Sequence, residues 1–279
     1  MKIFRNNTEL IQGTQNLNCK IGFVPTMGAL HLGHLSLFKQ ALLETDKTIG
    51  SIFINPKQFS PSEDLNRYPK NVASDINQLK ELGVDYLFIP RFDDIYPNDF
   101  KEIDYISEWH NILEGSFRPS HFNGVVQVMY RLLNLVQPDY LYLGKKDAQQ
   151  LKIIAEMIDN FNMPVTVKAC EIIREQSGLA LSSRNVYLST KEKLQAATIY
   201  NSLCHARSNF DDGNRSPSEI IKIFKKNLDD QLVKNIEYVS IVDQTTFMST
   251  NGNIENNAFL LVAIKIGTTR LIDNVELLI

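Results

Sequence analysis

Cysteine is scarce: three in 279 residues, Cys19, Cys170 and Cys204, with no Cys-x-x-Cys pair. That usage excludes a disulfide framework or a zinc ribbon and fits a reducing cytoplasm. No stretch approaches the roughly 20 consecutive apolar residues of a membrane span. The first residues lack the apolar core, about 7–15 residues long, of a signal peptide. A cytoplasmic chain with no membrane partner is expected. An excess of one charge sign is missing too. Lys and Arg number 29 against 32 Asp and Glu, a net charge of -3. Nothing therefore draws the whole chain toward nucleic acid, and any anion site must be local. A basic stripe of the kind RNA binding uses is absent, as are internal repeats and low-complexity tracts.

What is there is ordinary globular composition, 43% hydrophobic and 22% charged, in a chain long enough for two domains. Strand-like runs at Cys19–Val24, Thr48–Ile54, Val84–Pro90, Asp139–Leu143 and Pro164–Ile173 alternate with helical apolar patterns. Those helices are expected at Leu35–Glu44, Asn71–Leu82, Val125–Val136 and Leu151–Asn160. Such alternation predicts an α/β fold, a Rossmann-like doubly wound parallel sheet. Residues 1–18 read as a small helix with its lead-in, 62–70 as a loop, and 102–117 as a short strand followed by a short helix near Trp109. A polar shift at Arg174–Asn185 marks the end of the first domain, residues 1–174. Helices at Thr190–Arg207 and Ser218–Leu232, then strands at Ile236–Asp243, Ala258–Ile264 and beyond Asn274, predict a smaller α+β domain over 175–279.

The most informative stretch is Val24-Pro-Thr-Met-Gly-Ala-Leu-His-Leu-Gly-His34. A strand precedes it and a helix follows, so it is a tight loop at a helix N-terminus, where free N–H groups and the helix dipole favour phosphate. Gly28 and Gly33 permit close backbone approach. His31 and His34, three apart, share a face if the helix begins near His31. Two imidazole N–H groups there suit charge building on a departing pyrophosphate. Two solvated histidines, or two metal ligands, are the alternatives, although no Glu lies between them and no Cys is near.

Four further places carry chemistry. Asn55-Pro-Lys-Gln-Phe59 leaves the second strand, and Gln58 both donates and accepts, as a hydroxyl beside a carboxylate requires, or else is the exposed glutamine of an Asn-Pro turn. Arg118 and His121 could neutralise an anion, or Arg118 could pair with a surface carboxylate. Gly144-Lys-Lys-Asp-Ala-Gln-Gln150 offers lysine to phosphate and an Asp147 that either meets a ribose or caps the helix. Ser182-Ser-Arg184 puts two hydroxyls beside a guanidinium, an anion clamp or else a polar linker. Asp75, within the third helix, reads by itself as a solvated carboxylate.

His31-Leu-Gly-His34 resembles the His-x-Gly-His signature of the nucleotidylyl-transfer superfamily. The strings at 25–34, 55–59, 118–125, 144–150, 178–185 and 267–274 resemble, in order, those of the pantothenate synthetase family. The resemblance implies an enzyme joining pantoate to β-alanine through a pantoyl adenylate, with ATP as substrate, Mg²⁺ on its phosphates and a homodimeric assembly. It implies that Met27, Gly28, Ala29, Leu30, His31, Leu32, Gly33 and His34 contact ATP. Gly144, Lys145, Lys146, Asp147, Ile173, Leu181, Ser182, Ser183 and Arg184 are implied as its further contacts. Among these, backbone at Met27, Gly144 and Ile173 would hold adenosine, and Asp147 the ribose. His31, His34, Lys146, Ser182, Ser183 and Arg184 would surround the phosphates, gripped between the histidine turn and the serine–arginine segment. Gln58 and Gln150 are implied for pantoate, Gln58 also for β-alanine, Tyr68 near the pantoate pocket and Asp75 for Mg²⁺. The second domain is implied as a lid, with Gly178 a hinge. Lys145 and Ala148 depart from the family's glutamate and aromatic residue. Another nucleotidyltransferase of the superfamily, or a non-enzymatic nucleotide-binding module, would share the phosphate motifs.

Overall fold

The computed structural model describes every residue except 62 and 251, so the first residue of the expected loop at 62–70 lies outside the described residues. The chain divides into two units, residues 1–145 with 150–171, and residues 146–149 with 172–279.

The first unit is built on a six-stranded parallel sheet. Its strands are β1 (Lys2–Phe4), β2 (Ile21–Thr26), β3 (Lys47–Ile52), β4 (Tyr86–Phe88), β5 (Tyr140–Gly144) and β6 (Thr166–Cys170), ordered β1-β4-β3-β2-β5-β6. Phe23, Val24, Ile49, Leu141 and Tyr142 are wholly buried, because helices cover both faces of a parallel sheet and its central strands have no solvent side. The crossover helices are α1 (Asn7–Thr14), α2 (Leu32–Glu44), α3 (Val72–Leu82), α6 (His121–Val136) and α7 (Ala148–Asn160), with single turns α4 (Phe92–Ile95) and α5 (Glu114–Phe117). From β2 the chain winds out through β3 and β4, and from β5 it winds the other way to β6. The loops leaving β2 and β5 therefore open at the reversal point, where open α/β sheets take ligands.

Two expectations need correction here. Residues 2–4 form a strand on the sheet edge, pairing Lys2 with Tyr86 and Phe4 with Phe88. Three residues are too few for periodicity to declare. Residues 102–117 contain no strand, only turns and α5. The Gln127 amide takes the place of a neighbouring strand there. It accepts from the Ile103 N–H and donates to the Ile103 carbonyl, each at 2.9 Å.

In the second unit α8 (Thr190–Asp211), α9 (Pro217–Asn227) and the single turn α10 (Asp230–Val233) accompany an antiparallel sheet, β7 (Ile236–Asp243), β8 (Ala258–Ile266) and β9 (Thr269–Leu277), ordered β7-β8-β9. Leu203, Phe210, Phe224, Leu260 and Ile264 form its core. The helix expected over 218–232 is split, because Leu228 is extended and Asp229 caps a new turn through the Gln231 N–H.

Candidate functional site

The turn between β2 and α2 is built by its own histidines. His31 is the N-cap of α2, in extended backbone, and its Nδ1 accepts the Gly33 N–H at 3.1 Å. His34 reaches back, its Nδ1 accepting the His31 N–H at 3.4 Å. This is a capping box made of imidazoles. Each Nδ1 is an acceptor, so each neutral ring carries its proton on Nε2, the atom able to donate to an anion. The half-buried rings lie together, centroids 4.0 Å apart.

The loop before them is held from beneath by α3. Asp75, 1% exposed, accepts the Ala29 N–H on Oδ2 at 2.9 Å and the Leu30 N–H on Oδ1 at 2.8 Å. Ala29 is left-handed at φ 51° and Gly28 at 81°, an unfavourable pair that this carboxylate fixes in place. A Cβ on Gly28 would stand 3.1 Å from both Asp75 Oδ2 and Ile52 Cγ2, so glycine is required there. Asp75 is thus not a solvated carboxylate: each of its oxygens holds a main-chain N–H of the loop. Among the described residues no group of three or more His, Cys, Asp or Glu is placed to hold a metal ion.

Gln58 lies in a short 3₁₀ turn, Pro56–Gln58, fixed against α6. Asn55, 1% exposed, accepts from Tyr96 Oη at 2.9 Å and from the Lys57 N–H at 3.2 Å. Its Nδ2 donates to the Gly124 carbonyl at 2.9 Å and to Gln58 Oε1 at 3.1 Å. That orients the Gln58 amide with Nε2 as donor, 3.3 Å from Met27 Sδ. The Gln58 carbonyl accepts from His121 Nδ1 at 2.9 Å, which leaves Nε2 of His121 to accept from Arg118 Nη1 at 3.0 Å. Arg118 grips Glu63 with both arms, Nε to Oε1 at 2.7 Å and Nη2 to Oε2 at 3.0 Å. The Arg118–His121 pair therefore serves a carboxylate of the chain itself. Burial, then the Arg118 charge, pushes the His121 imidazole down to about 4. Burial pushes Glu63 up, but the Arg118 hydrogen bonds and charge outweigh it and the carboxyl stays below its usual range. Tyr68 is buried edge-on against Phe59, ring centroids 5.8 Å apart.

At the exit of β5, Lys145 pairs with Glu171 at 2.5 Å, so the residue that departs from the family pattern is neutralised by a neighbouring carboxylate. Gly144, Lys146 and Gln150 are half-buried, Asp147 is exposed and Ala148 is buried. In the second unit a hairpin leads into Ser182. Its ends are joined by the Leu181 N–H to the Ile173 carbonyl at 3.0 Å, and its turn has Gly178 at φ 90°. A Cβ on Gly178 would come 2.7 Å from Tyr200 Cδ1, so this turn is packed as well as left-handed. Ser182 Oγ accepts the Arg184 N–H at 3.3 Å, capping the 3₁₀ turn Ser183–Tyr187.

A profile of the family described as Pantoate-beta-alanine ligase matches residues 2–276. The chain belongs to the pantoate–β-alanine ligase family. A pantothenate synthetase of Campylobacter hominis is 44% identical over 277 residues, 99% of this chain and 100% of that protein. One from Bacillus mycoides is 40% identical over 281 residues, covering 100% and 99%. The crystal structure of pantothenate synthetase from Thermus thermophilus superposes with a TM-score of 0.94 at 36% identity, covering all of both chains. A pantoate-beta-alanine ligase from Francisella tularensis, complexed with beta-gamma ATP and beta-alanine, has a TM-score of 0.80 at 36% identity, covering 99% and 97%. The enzyme is a ligase of pantothenate biosynthesis, and among the described residues no helix is long and apolar enough to cross a membrane. The sequence alone did not single out Asn55 or the clamp made by Asp75. An Asn before Pro reads as a turn residue, and an Asp in an amphipathic helix reads as its wet face.

Proposed function

We propose that this ATP-dependent pantoate–β-alanine ligase works through a pantoyl adenylate. The pantoate carboxylate attacks the α-phosphorus of ATP, and the bond to pyrophosphate breaks. The β-alanine amine then attacks the acyl carbon, loses a proton, and AMP leaves. No protein nucleophile is needed, because adenylation itself supplies the leaving group. Catalysis rests on positioning and charge stabilisation.

In this reading His31 and His34 donate from Nε2 to phosphate oxygens, a choice of nitrogen supported by the two main-chain N–H groups their Nδ1 atoms accept. Lys146, Ser182, Ser183 and Arg184 supply the remaining cations and hydroxyls for the phosphates. Met27 to His34, Gly144, Lys145, Asp147, Ile173 and Leu181 line the nucleotide. Gln58, its amide oriented by Asn55, donates Nε2 to pantoate, and Gln150 in the first turn of α7 is the second contact. Asp75 holds the signature loop, and Mg²⁺ would sit on the ATP phosphates and offset their charge. Homodimeric assembly and a cytoplasmic location belong to the same reading.

Two imidazoles 4.0 Å apart, each accepting a main-chain N–H on Nδ1 at the reversal point of the sheet, carry this assignment. The test is a pair of partial reactions. ATP with pantoate alone should release pyrophosphate and retain AMP as the acyl adenylate, and adding β-alanine should release AMP. Pyrophosphate release with unrelated acids but not with pantoate would assign the chain another nucleotidyl transfer.

A further inference from the structure

Two segments of the second unit bear proposed phosphate contacts, and both are tied to one point on β9. The first is residues 146–149, which begins with Lys146. The second is the hairpin at 173–181 that delivers Ser182, Ser183 and Arg184. Asp273, buried within β9, takes the whole fork of Arg174: Nη1 to Oδ2 at 2.6 Å and Nη2 to Oδ1 at 2.9 Å. The same guanidinium donates to the Gly178 carbonyl at 3.2 Å and lies over the Tyr200 ring, Cζ 3.6 Å from its centroid. Arg174 also bridges to Ala180 across the hairpin. Fixing Arg174 therefore fixes the hairpin.

The next residue serves the other segment. Asn274 is 3% exposed, and its own N–H donates to Asp273 Oδ1 at 2.8 Å. Its side-chain Nδ2 donates to the main-chain carbonyl of Lys146 at 3.0 Å. A lysine ammonium rides on a four-carbon stem, so a protein can set its reach only by fixing the root. The Asn274 bond is made to that root. Misplacing a contacting group by about 1 Å costs on the order of 10²-fold in rate.

We infer that Asp273 and Asn274 are a positioning pair for the triphosphate contacts, Asn274 acting through Lys146 and Asp273 through Arg174 and its hairpin. This rests on the reading that Lys146 and residues 182–184 contact ATP.

The experiment is a double-mutant cycle on Asn274→Ala and Lys146→Ala, read as pantoate-dependent pyrophosphate release from ATP in steady-state turnover with β-alanine present. Asn274→Ala should lower kcat about tenfold, the scale of one lost buried hydrogen bond, with KM for β-alanine unchanged. On the Lys146→Ala background the same substitution should cost less than about twofold, because the residue it positions is gone. Equal losses on both backgrounds would overturn the inference, as would wild-type turnover by Asn274→Ala alongside a slow Lys146→Ala. Wild-type turnover by Lys146→Ala would overturn the phosphate role of Lys146 and the positioning role with it. If Asn274→Ala does not fold, Asn274→Gln, which keeps the amide and displaces it, runs the same cycle.

Discussion

A histidine whose Nδ1 already accepts a main-chain N–H has its proton placed for it. His31 and His34 both meet that condition, so the start of α2 presents Nε2 as the donor atom of each ring. Removing one such donor from a site where charge develops costs on the order of 10²-fold in kcat. His34→Ala should show that loss in pyrophosphate release, and it also removes half of the imidazole capping box. Near-normal turnover would reject the role. Asp75 works one layer below. Asp75→Asn keeps the volume but puts an amide NH₂ against one of two main-chain N–H groups, so a buried donor loses its acceptor. That costs about 1–3 kcal/mol, and the loop at Gly28–Ala29 should relax from its left-handed backbone. A lower melting temperature with a raised KM for ATP is expected. If Asp75→Asn instead melts normally and loses only its dependence on Mg²⁺ concentration, the loop-clamp role is wrong.

At the scale of elements, the loop carrying Gln58 depends on how closely α6 approaches it. A Cβ on Gly124 would fall 2.3 Å from the Lys57 carbonyl oxygen and 2.6 Å from the Gln58 nitrogen. Both are main-chain atoms, so the loop itself would have to move. Two effects oppose each other in Gly124→Ala. Helix propensity favours alanine by about 1 kcal/mol, whereas overpacking a tight contact costs about 1–3 kcal/mol. Contacts this short put overpacking ahead, so the variant should be less stable, with a raised KM for pantoate and a nearly unchanged KM for ATP. A stabilised variant with normal kinetics would show that the loop yields freely. The same contacts explain what could be read from the sequence. The central strands β2 and β5 declared themselves, since they are apolar on both faces. The signature turn declared itself because glycine and histidine at fixed offsets have few other uses. The edge strand β1 did not, at three residues. The segment around Ile103 looked like a strand but finds its partner in a glutamine side chain on α6. The helix α6 itself starts at His121, before its apolar periodicity becomes clear. Asp75 was illegible because its partners lie 46 and 45 residues away, and only the fold brings them together.

For the molecule as a whole, the chain Glu63–Arg118–His121–Gln58, with His121 buried at its centre, couples stability to pH. His121 is held neutral, its pKa lowered from 6.5 to about 4 by burial and by Arg118. In the unfolded chain it binds a proton as pH falls through 6.5, while the folded chain does not until about 4. The unfolded state therefore gains protons first. The contribution of His121 is complete above the unfolded pKa and is lost as pH falls from 6.5 to about 4, amounting to roughly 3 kcal/mol. His110, lowered by burial, adds to the loss with the same sign. Glu63 follows at lower pH, because its lowered carboxyl stabilises the fold only above its unfolded value. A comparison with His121→Gln isolates one group, because glutamine can still donate to the Gln58 carbonyl and accept from Arg118 but cannot titrate. Unfolding free energies from urea titrations at several pH values from about 7.5 to about 5 should fall more steeply in the wild-type chain. The difference in slope should approach about 1.4 kcal/mol per pH unit below about pH 6. Parallel curves would mean that His121 titrates alike in both states, and that its hydrogen bonds to Gln58 and Arg118 do not persist in solution.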